Sequence, residues 1–209
     1  MPYRRWKRGR ALSGEPTKTM RIGLISDTHC AGSGWDLPSQ VLQAFQGVDL
    51  ILHCGDLECL GVLDCLETVA PVLAVRGYED PFENRTGAGD RLASPTRVVV
   101  AEGINIGMIH DIQWPGPKIA TTSDGSGLVL PVAQGKELLR RKFGQPVDVL
   151  LFGDTHHPLI LDLDGALLVN PGSPTYPARR KPGFIGTVGF LDIKNGAVTA
   201  SLVDLKIDS

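Results

Sequence analysis

The sequence predicts an α/β fold, a four-layer αββα sandwich of two mixed β-sheets flanked by helices. Three observations predict it. Short apolar strands alternate with helically spaced apolar stripes through the first half, paired strands dominate the second half, and polar loops follow the strands throughout. At 209 residues the chain is long enough to bury one core without staples.

Taken in order, residues 20–26 form an apolar strand, and Leu37, Val41, Leu42 and Phe45 share a helical face. Residues 49–54 form the next strand. Leu60, Leu63, Leu66 and Val69 mark a helix over 57–69, which Pro71 closes before a strand at 72–75. This βαβαβ run implies a mainly parallel sheet covered on both faces, with its loops gathered at one edge. Residues 97–100 and 104–109, joined by Ala101-Glu102-Gly103, read as a hairpin. A Gly/Pro/Ser/Thr-rich insert over 112–131, carrying Trp114, leads to a helix over 132–143 and a buried strand over 147–152. Further strands are expected near Ile160 and Leu167, at 184–193 and at 197–205.

The formal net charge of −2 hides an asymmetry. Residues 1–21 carry seven Lys/Arg against Glu15 alone, so the head is +6 and the rest of the chain −8. That head lacks the apolar core of a secretory signal, because Ala11-Leu12 runs straight into Ser13-Gly14-Glu15-Pro16. We read 1–19 as a basic, disordered leader, or as an upstream extension of a chain starting at Met20, and 20–209 as the folded domain. An arm for nucleic acid or an anionic membrane surface is the competing reading. No stretch has the roughly 20 apolar residues of a membrane span. Cys30, Cys54, Cys59 and Cys65 lack the regular spacing of a disulfide framework and read as reduced thiols of a cytoplasmic protein.

Chemistry concentrates in five loops that each follow a predicted strand, where α/β folds place their ligands. They are Ser26-Asp27-Thr28-His29, Gly55-Asp56, Gly77-Tyr78-Glu79-Asp80, His110-Asp111 and Gly153-Asp154-Thr155-His156-His157. Alternate residues of an extended segment point the same way, so Asp27 with His29, and Asp154 with His156, are expected to converge on a cation. Bridging carboxylates mixed with imidazoles suit Mn, Fe, Zn or Co better than Ca or Mg. Two such ions roughly 3.5–4 Å apart can clamp a phosphoryl group and generate hydroxide from water. Singly, each residue has an ordinary structural use, as a helix cap or turn former. Jointly, five coincidences are needed.

The order D-x-H, G-D, G-x-x-D, H and G-x-x-H, followed by Asn170-Pro171-Gly172-Ser173, resembles the calcineurin-like metallophosphoesterases. It is similar in particular to the small bacterial and archaeal phosphodiesterases, whose late motifs are GHTHxP and NPGS. The resemblance covers nearly all of 20–205 and includes His53-Cys54-Gly55-Asp56 and Val75-Arg76-Gly77. It implies one or two divalent metal ions (Mn, Fe, Zn, Co or Ni), the first held by Asp27, His29, Asp56 and His156. The second-site positions read Asp56, Tyr78, His110 and Asp154, so a family Asn has become Tyr78 and a family His has become Asp154. Glu79 stands where relatives carry His or Cys, with Cys59 as a further nearby group.

The implied function is a metal-dependent phosphoesterase, acting on a phosphodiester or phosphomonoester. Asp56 would bridge the ions, His110 would hold developing charge, and Asp80 would orient a ligand. Arg76, Glu79 and Arg179 would meet the substrate, with Arg180 and Lys181 nearby. The alternative is a scaffold or regulatory protein that keeps the fold without catalysis, as the retromer subunit of this fold does, with an exposed apolar patch near Trp114. The phosphate-ester substrate's identity, homo-oligomerisation and a nucleic-acid substrate all stay open, since fold does not fix function.

Overall fold

Successive side chains of a strand face opposite ways, so a strand covered on both sides needs apolar residues at nearly every position. The computed structural model, which describes residues 4–7, 19–80, 88–129 and 135–207, meets that demand with two sheets. The larger runs in the spatial order β1 (Arg4–Lys7), β14 (Ala197–Lys206), β13 (Phe184–Lys194), β2 (Met20–Ile25), β3 (Leu50–His53), β4 (Val72–Val75) and β5 (Leu92–Ala93). Its β2 to β5 half is parallel and the other half antiparallel. The smaller has the order β11 (Leu159–Leu163), β12 (Ala166–Asn170), β10 (Val149–Leu151), β7 (Ile104–Ile109) and β6 (Thr96–Ala101). Strands β7, β10 and β12 are parallel, with antiparallel strands at both edges.

Strand alternation sorts the core into three layers. Ile22 and Leu24 of β2 join Leu52, Ile106, Val149, Leu151 and Val169 between the sheets. Ile25 and Ile51 face outward with Phe45, Leu63 and Leu66, beneath α1 (Ser39–Ala44) and α2 (Gly61–Glu67). Leu150 and Leu168 face the opposite way and meet Leu139 of α3 (Gly135–Phe143) and Phe152. The predicted four-layer sandwich is the one observed. Each helical layer seats a phenylalanine on a strand glycine: a Cβ on Gly23 would lie 2.8 Å from the Phe45 ring, and one on Gly107 2.9 Å from the Phe143 ring.

Several boundaries move. The helix expected over 57–69 begins at Gly61, because Gly55, Asp56 and Glu58 adopt positive φ and cannot propagate helical bonds. The helix expected over 132–143 is observed from Gly135, and residues 132–134 fall outside the described ones. The insert contains a small hairpin, β8 (Ala120–Thr121) with β9 (Leu128–Val129), that its turn-rich composition concealed. Within the basic head, β1 pairs antiparallel with the start of β14 at the sheet edge. The rest of the leader reading, apart from residue 19, lies outside the described residues. No helix among the described residues is long and apolar enough to cross a membrane.

The glycine seats make a direct prediction. Gly23→Ala should destabilise the fold by about 1–3 kcal/mol through overpacking, read as a lowered urea midpoint. In a Phe45→Leu background the same change should cost less; an equal cost in both would show that the ring contact is not the cause.

Candidate metal centre

The centre lies beyond the carboxyl ends of β2, β3, β4, β7 and β10, all members of the parallel parts of the two sheets. Convergence of the Asp-x-His pairs was expected from extended backbone. The structure brings Asp27 and His29 together but sends Asp154 toward His110 and His156 toward Asp27, and all four have left-handed backbone, with φ of 54°, 43°, 66° and 56° for Asp27, His29, Asp154 and His156. Asp56 and Glu58 share that left-handed conformation, so six of the nine non-glycine residues with positive φ among the described residues sit here. Each costs of order 1–3 kcal/mol and persists only where surroundings over-determine it. Here the Asp27, His29 and Cys30 N–H groups donate to the Gly55, Asp56 and Leu57 carbonyls at 2.9, 3.0 and 3.1 Å, lacing the first loop to the second. Ser173 Oγ donates to the Asp27 carbonyl at 2.7 Å, and Asn170 Nδ2 to the Gly153 carbonyl at 2.9 Å. The Asn-Pro-Gly-Ser segment is therefore a brace for both metal-friendly loops.

Three imidazoles are oriented alike. His29 Nδ1 meets Glu58 Oε1 at 2.9 Å, His110 Nδ1 the Cys54 carbonyl at 2.8 Å, and His156 Nδ1 the Tyr176 carbonyl at 2.6 Å. An oxygen that only accepts places the proton on Nδ1 and leaves each Nε2 lone pair turned inward. Those lone pairs face one another and the carboxylates. His29 Nε2 lies 3.2 Å from His156 Nε2 and 3.7 Å from Asp56 Oδ2, and His156 Nε2 is 3.6 Å from Asp27 Oδ1. His110 Nε2 lies 3.3 Å from Asp56 Oδ2 and 3.9 Å from Asp154 Oδ1. Two groups, Asp27 with His29 and His156, and Asp27 with Asp56 and His110, bring their donor atoms within 4.8 Å of one another.

This arrangement fits a cation and little else. Two lone pairs at 3.2 Å repel, and the buried Asp27 Oδ2 and His110 Nε2 have no hydrogen-bond partner among the described residues. A positive ion relieves both. In its absence a proton is drawn in: burial opposes charging of His110, but Asp56 and Asp27 outweigh it and lift the imidazole to about 9. Burial likewise works to raise Asp56, yet His110, His29 and the Glu79 N–H bring its carboxyl down to about 2. Burial raises Asp27 and Asp154 against the pull of neighbouring histidines.

The remaining expected residues divide by role. Asp80 accepts from the Asp56 and Gly77 N–H groups on Oδ2 (3.1 and 2.7 Å) and from Leu57 and Glu58 on Oδ1 (2.6 and 2.9 Å). It thus braces the centre by accepting from the backbone of the loops that carry Asp56 and Gly77. Tyr78 departs from the ligand role: its hydroxyl donates to Asp111 Oδ2 at 2.6 Å, and that bond, with burial and nearby acids, pushes the phenol up to about 12. As placed, its hydroxyl serves as a hydrogen-bond donor to Asp111. Glu79 is exposed, and its backbone N–H donates to Asp56 Oδ1 at 3.0 Å. The Arg76 guanidinium donates to the Asp80 carbonyl at 3.2 and 2.8 Å while lining a cavity with His110. Arg179 is exposed beyond Tyr176. Glu58, the pairing of Asp111 with Tyr78, and the Cys54 and Tyr176 carbonyls escaped the sequence reading. Carbonyls carry no side-chain signal, and Glu58 shows itself only as an acid two residues past Asp56.

A sequence profile of the calcineurin-like phosphoesterase superfamily domain matches residues 20–196. The chain is 40% identical over 161 residues to a "probable metallophosphoesterase" of Methanocaldococcus jannaschii, covering 76% of this chain and 70% of that protein. It is 35% identical over 164 residues to another of Methanothermobacter thermautotrophicus, covering 78% and 82%. Two solved structures share the fold: vacuolar protein sorting 29 from Cryptosporidium parvum, TM-score 0.61 at 18% identity over 90% and 99% of the chains, and a novel archaeal phosphodiesterase, TM-score 0.58 at 20% identity over 88% and 100%. At those identities the likeness is one of fold alone.

Two predictions follow from the bracing. Asp80→Asn exchanges an acceptor for an amide donor facing N–H groups, so metal affinity measured by calorimetry should fall about 10–100-fold; unchanged affinity would deny Asp80 its positioning role. His53 is fully buried, accepts from the Gly55 N–H at 3.1 Å, and burial pulls it down to about 3. Its unfolded form takes up a proton below about 6.5 and its folded form does not, so stability should drop on acidification from pH 6.5 towards 3, by at most about 1.4 kcal/mol per unit. His53→Gln should flatten that slope in urea titrations of metal-free protein; an unaltered slope would assign it elsewhere.

Proposed function

The chain belongs to the calcineurin-like phosphoesterase superfamily, and we propose that it is a metal-dependent phosphoric ester hydrolase of the cytoplasm, acting on a phosphodiester or phosphomonoester. The observation that carries this reading is the set of three imidazoles, each anchored at Nδ1, whose Nε2 atoms converge with buried carboxylates. The cluster supports metal binding under either reading, and the 40% and 35% identity to two probable metallophosphoesterases favours the hydrolase over the scaffold.

We assign Asp27, His29, Asp56 and His156 to one cation, and Asp56, His110 and Asp154 to a second. Asp56 is the shared ligand, since its Oδ2 lies 3.7 Å from His29 Nε2 and 3.3 Å from His110 Nε2. Mixed imidazole and carboxylate donors suit Mn, Fe, Zn, Co or Ni, and manganese is our choice for the assay. When bound, such ions polarise a phosphoryl oxygen and acidify a water molecule. The protein's own contribution is positional. Glu58, the Cys54 carbonyl and the Tyr176 carbonyl fix the imidazole rings, Asp80 fixes the Asp56 and Gly77 loops, and Arg76, tethered by the Asp80 carbonyl, offers positive charge to substrate phosphate. Glu79 and Arg179, both exposed, are assigned to the outer substrate surface.

The test is release of nitrophenol from bis(p-nitrophenyl) phosphate by manganese-loaded protein. Wild type should show turnover that a chelator abolishes, and Asp56→Asn should lose more than about 100-fold in kcat, beyond what an outer-shell change costs. Absence of metal-dependent turnover in wild type, or full activity in Asp56→Asn, sinks the reading.

A further inference from the structure

Beside His110 lies a cavity of about 230 Å³, lined by Arg76, Tyr78, Pro95, Asp111 and Trp114 among others. Two of those residues are large aromatics left 59% exposed, Tyr78 and Trp114. Exposed aromatics on slack loops would need no comment, but the Tyr78 ring is tethered at its tip and the Trp114 backbone is anchored. Tyr78 is fixed at its tip by Asp111, and on either side by the Gly77 N–H on Asp80 and the Glu79 N–H on Asp56. Its ring stands edge-on to His110, centroids 5.6 Å apart and planes at 80°.

Trp114 sits on a segment anchored from below. Ile112 and Ile119 are buried in the layer beneath α3, and the buried Lys142 Nζ donates to the Pro115 and Pro117 carbonyls at 2.7 and 3.1 Å. The Trp114 N–H itself donates to the Asp111 carbonyl at 3.1 Å. Aromatics carried on anchored loops lose less entropy on binding a ligand than those on slack ones.

We propose that this cavity seats a planar aromatic group of the substrate, so that the enzyme selects phosphoesters carrying a nucleobase or an aryl ring; this rests on the hydrolase reading above. The volume, below the roughly 300 Å³ of sites for larger ligands, suits one ring system. Tyr78 and Trp114 supply stacking faces, and the Asp111 carboxylate at the wall can accept from ring N–H donors. Because His110 belongs both to this wall and to the metal centre, a ring seated here lies next to the reacting phosphoryl group.

Calorimetry on the full manganese-loaded chain, with adenosine, phenyl phosphate and ribose 5-phosphate as probes, tests this, and adenosine, which is not an ester, does so without turnover. Wild type should bind adenosine, Trp114→Ala should bind it about 10-fold or more weakly, and Trp114→Phe should restore it. Ribose 5-phosphate should bind both proteins equally. A loss confined to adenosine identifies a nucleobase, and a loss confined to phenyl phosphate an aryl ester. Equal effects on all three probes, or no effect of Trp114→Ala on either aromatic one, overturns the proposal. Adenosine carries no phosphate, so its Trp114-dependent binding stands even if no ester is hydrolysed, which keeps failure of the cavity apart from failure of the hydrolase.

Discussion

Three imidazole edges and three carboxylates can occupy one pocket only if positive charge sits among them. Everything around the centre follows from that constraint. The Nε2 atoms of His29 and His156 stand 3.2 Å apart because each ring is held from behind, by Glu58 and by the Tyr176 carbonyl. Without those tethers the rings would rotate to solvent and the repulsion would vanish, together with the site. The metal-free protein therefore stores electrostatic strain that a cation releases, and binding energy is available for assembly at the same place as chemistry.

The backbone tells the same story. Left-handed residues stand at both members of each Asp-x-His pair: Asp27 and His29 share one donor cluster, while Asp154 turns toward His110 and His156 toward Asp27. Holding that conformation needs many fixed partners. Asp80 supplies four of them from one carboxylate, and Gly77 lets the third loop come close: a Cβ there would lie 2.1 Å from Asp56 Oδ1. The glycine is required by proximity to the shared ligand, and not by a turn.

The layers were legible because burial on both faces of β2, β3 and β10 writes continuous apolar runs, while α1, α2 and α3 carry helical stripes. Ligand types were legible because Asp and His recur immediately after strands. What stayed hidden depends on angles and distances that no residue type encodes. The helix after Asp56 starts late because the loop spends its residues on left-handed turns. Glu58 became a histidine's partner only because its own φ of 64° turns it back toward His29. Asp111 looked like a neighbour of His110 and is instead the partner of Tyr78, thirty-three residues away.

Tyr78 shows how a departure from the family pattern can be compensated. The amide carbonyl of an Asn would be a neutral oxygen ligand; the phenol is instead engaged by Asp111 and raised to about 12. Asp154, in place of a neutral imidazole, returns an anionic oxygen on the same side, with Oδ1 3.9 Å from His110 Nε2. On the proposed assignment, a second cation would exchange two neutral donors for one charged one. Fewer ligands with more charge favour a harder ion and leave more of its coordination sphere to water or substrate. On the proposed reading, the same residue that thins the ligand set lines the cavity beside His110, so Tyr78 would move specificity and coordination together.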